Sequence, residues 1–109
     1  MDDVDALVAG TDEAAWLSEC QRIRGMIAAA EGDVAEAEHW LEAAIRTARG
    51  QGAVLLELRA TARLAEALAT QGHQAEAGRR LGEIYGSFTQ GRGAPDLQDA
   101  KTVLERMLT

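Results

Sequence analysis

The side chains able to do chemistry are few and scattered along this chain. His39 has Glu36 and Glu42 within one helical turn on either side, and His73 has Glu76. Such carboxylate–imidazole pairs can begin a metal site, but zinc takes three or four converging ligands. Neither histidine has a third, so both read as surface or structural residues and no metal is expected. Cys20 is the single cysteine, without a mate for a disulfide or a zinc site. It lies on an apolar helical stripe, and core packing is its expected role. A hydroxyl nucleophile needs a base and an orienting group, and neither Ser18 nor Ser87 sits in such a setting. Gly91-Arg92-Gly93 lacks the third glycine and the Lys-Ser or Lys-Thr pair of a phosphate loop, so it reads as a turn. Tyr85 and Phe88, three residues apart, fit a core face better than a ligand cage. The acidic run from Glu31 to Glu42 reads as a solvated helix face, with a basic partner as the alternative. No catalytic residue and no cofactor site emerge, and the chain is expected not to be an enzyme.

The elements that carry these residues are set by composition. The chain has 109 residues, the length of one domain, with 47% apolar residues and only 4% aromatic. The core must therefore be aliphatic. Alanine occurs 22 times, proline once at Pro95, and asparagine never. Helix formers dominate and strand formers are scarce, so the expected fold class is all-α.

The net charge is −7, unevenly spread. Residues 1–45 hold eleven acids and two arginines, a net of −9, and residues 46–109 hold nine bases and seven acids, a net of +2. Phosphate backbones are met by Lys and Arg, so no nucleic-acid partner is expected. No uncharged stretch reaches ten residues, against the ~20 apolar residues that span a bilayer, so no membrane partner is expected either. Met1-Asp2-Asp3-Val4-Asp5 is acidic where a secretory leader is basic. With one lone cysteine, a reducing, cytoplasmic location is the expectation.

Spacing and stop signals predict the helices. Residues 1–10 read as a short helical lead-in ending at Gly10, and Thr11 as the N-cap of a helix over about 12–30. Its expected buried stripe is Trp16, Cys20, Ile23, Ile27 and Ala30. Gly32 stops it, and Asp33 with Glu36 forms a pair like a capping box. The second helix shows Val34, Ala37, Leu41, Ala44, Ile45 and Ala48 on one face and ends at Gly50 and Gly52. A third covers about 53–70 with Leu55, Leu58, Ala62, Ala65 and Leu68 inward, and Gly72 stops it. A fourth, about 74–88, shows Ala77, Leu81, Ile84, Tyr85 and Phe88. After the loop at 89–95, Asp96 reads as the N-cap of a last helix carrying Leu97, Ala100, Val103, Leu104, Met107 and Leu108.

Residues 28–37 align with residues 68–77, an offset of 40, through Gly32 and Gly72 and the shared Ala-Glu-Ala. The same offset pairs Gly25 with Ala65, Leu41 with Leu81 and Ile45 with Tyr85. A small residue late in a first helix, alanine twelve on and a large apolar residue four further fall on Gly25, Ala37, Leu41 and then Ala65, Ala77, Leu81. In this pattern the chain resembles a tetratricopeptide repeat (TPR) protein. Small residues there let paired helices approach closely. The family's aromatic positions are held instead by Gln21, Thr61, Ala28 and Leu68. The resemblance implies two helix-turn-helix units, 11–50 and 51–90, and a capping helix at 95–109. Together they would form one right-handed α-solenoid domain over 1–109. A narrower likeness, carried by Arg22-Ile23-Arg24-Gly25, Ala48-Arg49-Gly50-Gln51-Gly52-Ala53 and Tyr85-Gly86-Ser87-Phe88-Thr89-Gln90-Gly91, is to the C-terminal repeat region of large bacterial ATPase-type regulators and adenylate or guanylate cyclases.

The resemblance implies a non-enzymatic protein–protein interaction module. The alternative it leaves is a regulatory or sensor segment of a bacterial signalling ATPase, nucleotide cyclase or transcription regulator. In the family the first helix of each unit lines a concave face. That placement selects Glu19, Arg22 and Met26 from unit one and Arg59, Arg63, Glu66 and Thr70 from unit two. Arg22, Arg59 and Arg63 would there form a cationic strip for an acidic peptide, or else pair with Glu19, Glu57 and Glu66 on their own helices. Two repeats are fewer than a stable solenoid needs, so self-association as a homodimer is expected, with Trp16 and Trp40 at the contact. The charge asymmetry leaves a head-to-tail arrangement open.

Overall fold

Glycine punctuation and alanine-rich faces build the architecture. The computed structural model describes residues 12–88 and 93–107. These form α1 (Asp12–Ala30), α2 (Val34–Gly50), α3 (Val54–Thr70), α4 (Gln74–Gly86) and α5 (Pro95–Met107). Among the described residues there is no strand. Each helix packs on the next in the chain, and α3 also touches α1 and α5. The predicted lead-in at 1–10, the Thr11 cap and Leu108 lie outside the described residues.

Three turns share one geometry. Gly32, Gly52 and Gly72 have φ of +84°, +69° and +84°, a left-handed conformation that costs a residue with a Cβ about 1–2 kcal/mol. In the first turn the Gly32 N–H donates to the Ala29 carbonyl at 3.1 Å and the Asp33 N–H to the Ala28 carbonyl at 2.9 Å. The same two bonds recur from Gly52 to Arg49 and Ala53 to Ala48, and from Gly72 to Ala69 and His73 to Leu68. This Schellman arrangement satisfies carbonyls that the helix end would orphan. Asp33 caps α2 by accepting the Glu36 N–H at 3.1 Å.

The last helix begins two residues earlier than a cap at Asp96 would place it. Pro95 opens α5, and the Leu97 and Gln98 N–H groups bond to the Ala94 carbonyl. Proline suits the first helical position because its missing N–H would be unpaired there anyway. Asp96 is therefore not a cap and is free to face α3.

The core follows α3, which is buried on two sides. One side places Leu58, Ala62 and Ala65 with Ala77 and Leu81 of α4 and Leu97, Ala100 and Val103 of α5. The other places Ala60 and Leu64 with Leu41, Ala44 and Ile45 of α2, and Leu56 with Ala48 and Ala53. The expected inner set of α3 is the first side alone; the second is carried by residues one or two positions away.

In α1 the expected stripe is reversed. Trp16 is 72% exposed, Ile23 48% and Ile27 53%, Ala30 is exposed, and Cys20 is only half-buried. The buried face is Ser18, Gly25 and Ala28 instead. The physical reason is the closeness of α1 to α2. A Cβ built on Gly25 would lie 2.6 Å from Leu41 Cγ and 3.2 Å from the Ala37 carbonyl oxygen. Only small side chains fit such a contact. Ser18 is buried there with its hydroxyl donating to the Ala44 carbonyl at 3.0 Å, which offsets the cost of burying it.

This contact makes a prediction with a sign. Gly25→Ala gains about 1 kcal/mol of helix propensity but overpacks Leu41 at a cost of up to ~3 kcal/mol. Overpacking wins, and urea denaturation should show a net loss of about 1–2 kcal/mol. Gly50, with open space around it, should respond oppositely, Gly50→Ala gaining about 0.5 kcal/mol.

Candidate binding groove

Helices α1 and α3 touch, and a cleft lies between them. Met26 and Ala29 of α1, and Arg63, Glu66, Ala67 and Thr70 of α3, line a space of about 400 Å³. Gly32, Val34 and Leu41 complete the lining. The lining is mostly apolar, with Arg63, Glu66 and Thr70 as polar points along the α3 edge. It contains no His, Cys or Ser, and among the described residues no group of three or more His, Cys, Asp or Glu could hold a metal ion.

Beside the cleft is a polar depression of about 250 Å³ lined by Arg22, Arg59, Arg63, Asp96 and Asp99. The three arginines are here, but the strip is not cationic. Glu19 accepts from Arg22 at 2.9 Å and from Arg59 at 3.0 Å. The Arg59 Nε donates to Asp96 at 2.8 Å. Arg63 pairs with Asp99 and, at 3.4 Å, with Glu66, which in turn meets Arg106 at 3.2 Å. Arg22, Arg59, Arg63 and Arg106 thus face Glu19, Asp96, Asp99 and Glu66 in two alternating chains that cancel in charge. Most of these pairs cross between helices. Of the pairings expected within one helix, Arg22–Glu19 and Arg63–Glu66 are present, whereas Glu57 is taken by Arg49 of α2 at 2.7 Å.

All seven residues selected for the groove therefore fall on one face. Met26, Arg63, Glu66 and Thr70 line the cleft, and Glu19, Arg22 and Arg59 the adjoining ladder. Sequence reasoning missed the α5 partners Asp96, Asp99 and Arg106. The available signal was the three-residue spacing of the two aspartates, which places both on one side of α5. Burial opposes the charge on Arg59, yet its bonds to Asp96 and Glu19 hold its pKa above the ordinary value.

The other singled-out residues lie elsewhere. Trp40 is half-buried, its Nε1 donating to Glu36 at 2.9 Å and its ring lying 5.0 Å beneath the Arg24 guanidinium. His39 meets that ring edge-on at 5.3 Å. Trp16 stands on the opposite, outward side of α1. On the α2–α4 side Arg80 grips Glu42 with both guanidinium nitrogens, at 2.6 and 3.0 Å. That hydrogen bond, helped by the Arg80 charge and opposed by burial, holds the Glu42 carboxyl below its ordinary value of 4.5.

Compared with known proteins, the chain matches no protein-family model, no curated protein and no solved structure. No described helix is long and apolar enough to cross a membrane.

Two outcomes are expected. Arg59→Ala leaves Glu19 and Asp96 without their shared cation and should cost about 1–2 kcal/mol in urea unfolding. Arg79, exposed and paired only along its own helix, should cost under about 0.5 kcal/mol when replaced by alanine. Separately, Glu42 has a lowered folded pKa, so its contribution is full above pH 4.5 and is lost as pH falls through the folded value. A pH series of urea midpoints should fall more steeply in acid for the parent than for Glu42→Gln.

Proposed function

We propose that this chain is a non-enzymatic helical-repeat scaffold that binds a peptide or protein segment in the cleft between α1 and α3. The observation that carries the reading is the cleft itself, an apolar hollow of about 400 Å³ with polar groups on one edge. Binding sites combine an apolar lining with a few fixed polar groups in this way.

The repeat reading gains support from the turns. Gly32 and Gly72, 40 residues apart, make the same two bonds at the same φ. Gly25, Ala37 and Leu41 meet as the resemblance to tetratricopeptide repeats implies, and Ala65, Ala77 and Leu81 share one cluster. In this reading α1–α2 and α3–α4 are the two units, and α5 closes the apolar face of the second. An open array would leave that face wet.

The ligand chemistry follows from the lining. The arginine ladder is already neutralised, so a strongly acidic peptide gains little. A segment with one large apolar side chain fits better, its ring or branch on Met26, Val34, Leu41 and Ala67. Its backbone would then run along Arg63, Glu66 and Thr70.

The test is selection of a displayed random-peptide library on the parent chain and on two variants, Ala29→Trp and Thr70→Trp. Both positions are exposed on the cleft rim, so the fold should survive and the cleft be blocked. Peptides with an apolar anchor that bind the parent at micromolar Kd and lose about tenfold or more on both variants are the expected result. Peptides that bind all three equally, or none recovered, would overturn the groove.

A further inference from the structure

A second hollow adjoins the cleft. Glu66, Ala69 and Thr70 of α3, Gln74 at the start of α4, and Arg106 and Met107 of α5 line a space of about 300 Å³. Glu66 and Thr70 also line the cleft. Residues four apart on a helix stand one above the other, so these two form a single row of side chains. The two hollows lie on either side of that ridge.

The ridge is held in place and accepts hydrogen bonds. The Glu66 carboxylate is gripped from both sides, by Arg63 of the cleft at 3.4 Å and by Arg106 of the second hollow at 3.2 Å. The Thr70 hydroxyl donates to the Ala67 carbonyl at 2.7 Å, which leaves its oxygen to accept. Groups ordered before binding lower the entropy cost of taking a ligand. In the second hollow Ala69 and Met107 supply the apolar surface. A thioether side chain adapts to aliphatic neighbours of different shape. Because Glu66 already has two guanidinium partners, a basic side chain gains little there, and an aliphatic one fits better.

We infer that the two hollows are one site, and that its ligand is an extended peptide segment with apolar side chains on two consecutive residues. The inference rests on the cleft being a peptide groove. Side chains along an extended strand point alternately to opposite sides. With the backbone on the Glu66–Thr70 ridge, an anchor in the cleft turns its neighbour toward Ala69 and Met107. Backbone N–H groups that face the ridge meet the Glu66 carboxylate and the Thr70 hydroxyl, so polar groups taken out of water are paired. A helical ligand would instead carry its apolar residues three or four positions apart. The spacing of the two anchors therefore distinguishes the two kinds of ligand.

Ala29 lines the cleft and not the second hollow, and Gln74 the reverse; both are exposed. Peptides recovered from the library on the parent chain would be synthesised with a fluorophore. Their anisotropy would be titrated against the parent, Ala29→Trp and Gln74→Trp, with circular dichroism as the check on helicity. An aliphatic residue next to the anchor is the expected pattern. Gln74→Trp should weaken such peptides about tenfold, and so should alanine at the neighbouring position on the parent chain. The alanine peptide should then bind Gln74→Trp and the parent alike. Moving the aliphatic residue one position further from the anchor should restore none of the loss. Should Gln74→Trp fail to fold, the peptide substitutions on the parent chain decide the matter alone. Peptides weakened by Ala29→Trp but indifferent to Gln74→Trp and to the neighbouring alanine would overturn the inference and leave the cleft standing. So would anchors spaced three or four residues apart. Peptides indifferent to Ala29→Trp, or none recovered, would overturn the cleft and this inference with it.

Discussion

The close approach of α1 to α2 is the contact on which the rest depends. With no side chain at Gly25, Leu41 can lie where a Cβ would be, and Ala37 brings its backbone alongside. That nearness decides which face of α1 turns inward. It buries Ser18 and requires its hydroxyl to reach the Ala44 carbonyl. It also sets where the end of α1 lies relative to α3, and so the width of the cleft at Met26 and Ala67. In the second pair Ala65 stands in place of the glycine and shares one buried cluster with Ala77 and Leu81.

Around α3 the demands are different. Two buried sides need alanine nearly everywhere, and Ala60, Ala62, Ala65 and Ala67 supply it between the leucines. Thr61, also buried, turns its hydroxyl back to the Glu57 carbonyl. No buried side-chain polar atom among the described residues lacks a partner. The charged side chains sit at the margins of this core and tie helices together. Glu19–Arg59–Asp96 links α1, α3 and α5, and Glu42–Arg80 links α2 to α4. A long side chain held at both ends of a ladder is less available to a ligand. The inner face therefore offers an apolar hollow rather than a charged one.

The helices and their stops were legible from local signals alone. Alanine-rich composition and the glycines at 32, 52 and 72 are local signals, and local signals act through backbone propensity and φ, which need no distant partner. The face of α2 was legible because its large residues are also its buried ones. So was the inner face of α5, once its start is moved back to Pro95. The face of α1, the second side of α3 and the charge of the groove depend instead on how the helices pack. Periodicity marks where large apolar residues recur, but on α1 the glycine contact admits only small residues, so the large stripe is turned away from the partner helix. The arginines of the groove read as a cationic strip in sequence because Asp96, Asp99 and Arg106 lie 36 to 40 residues from the partners they meet. Electrostatic compensation acts through space, and only packing α5 beside α3 brings those charges within reach.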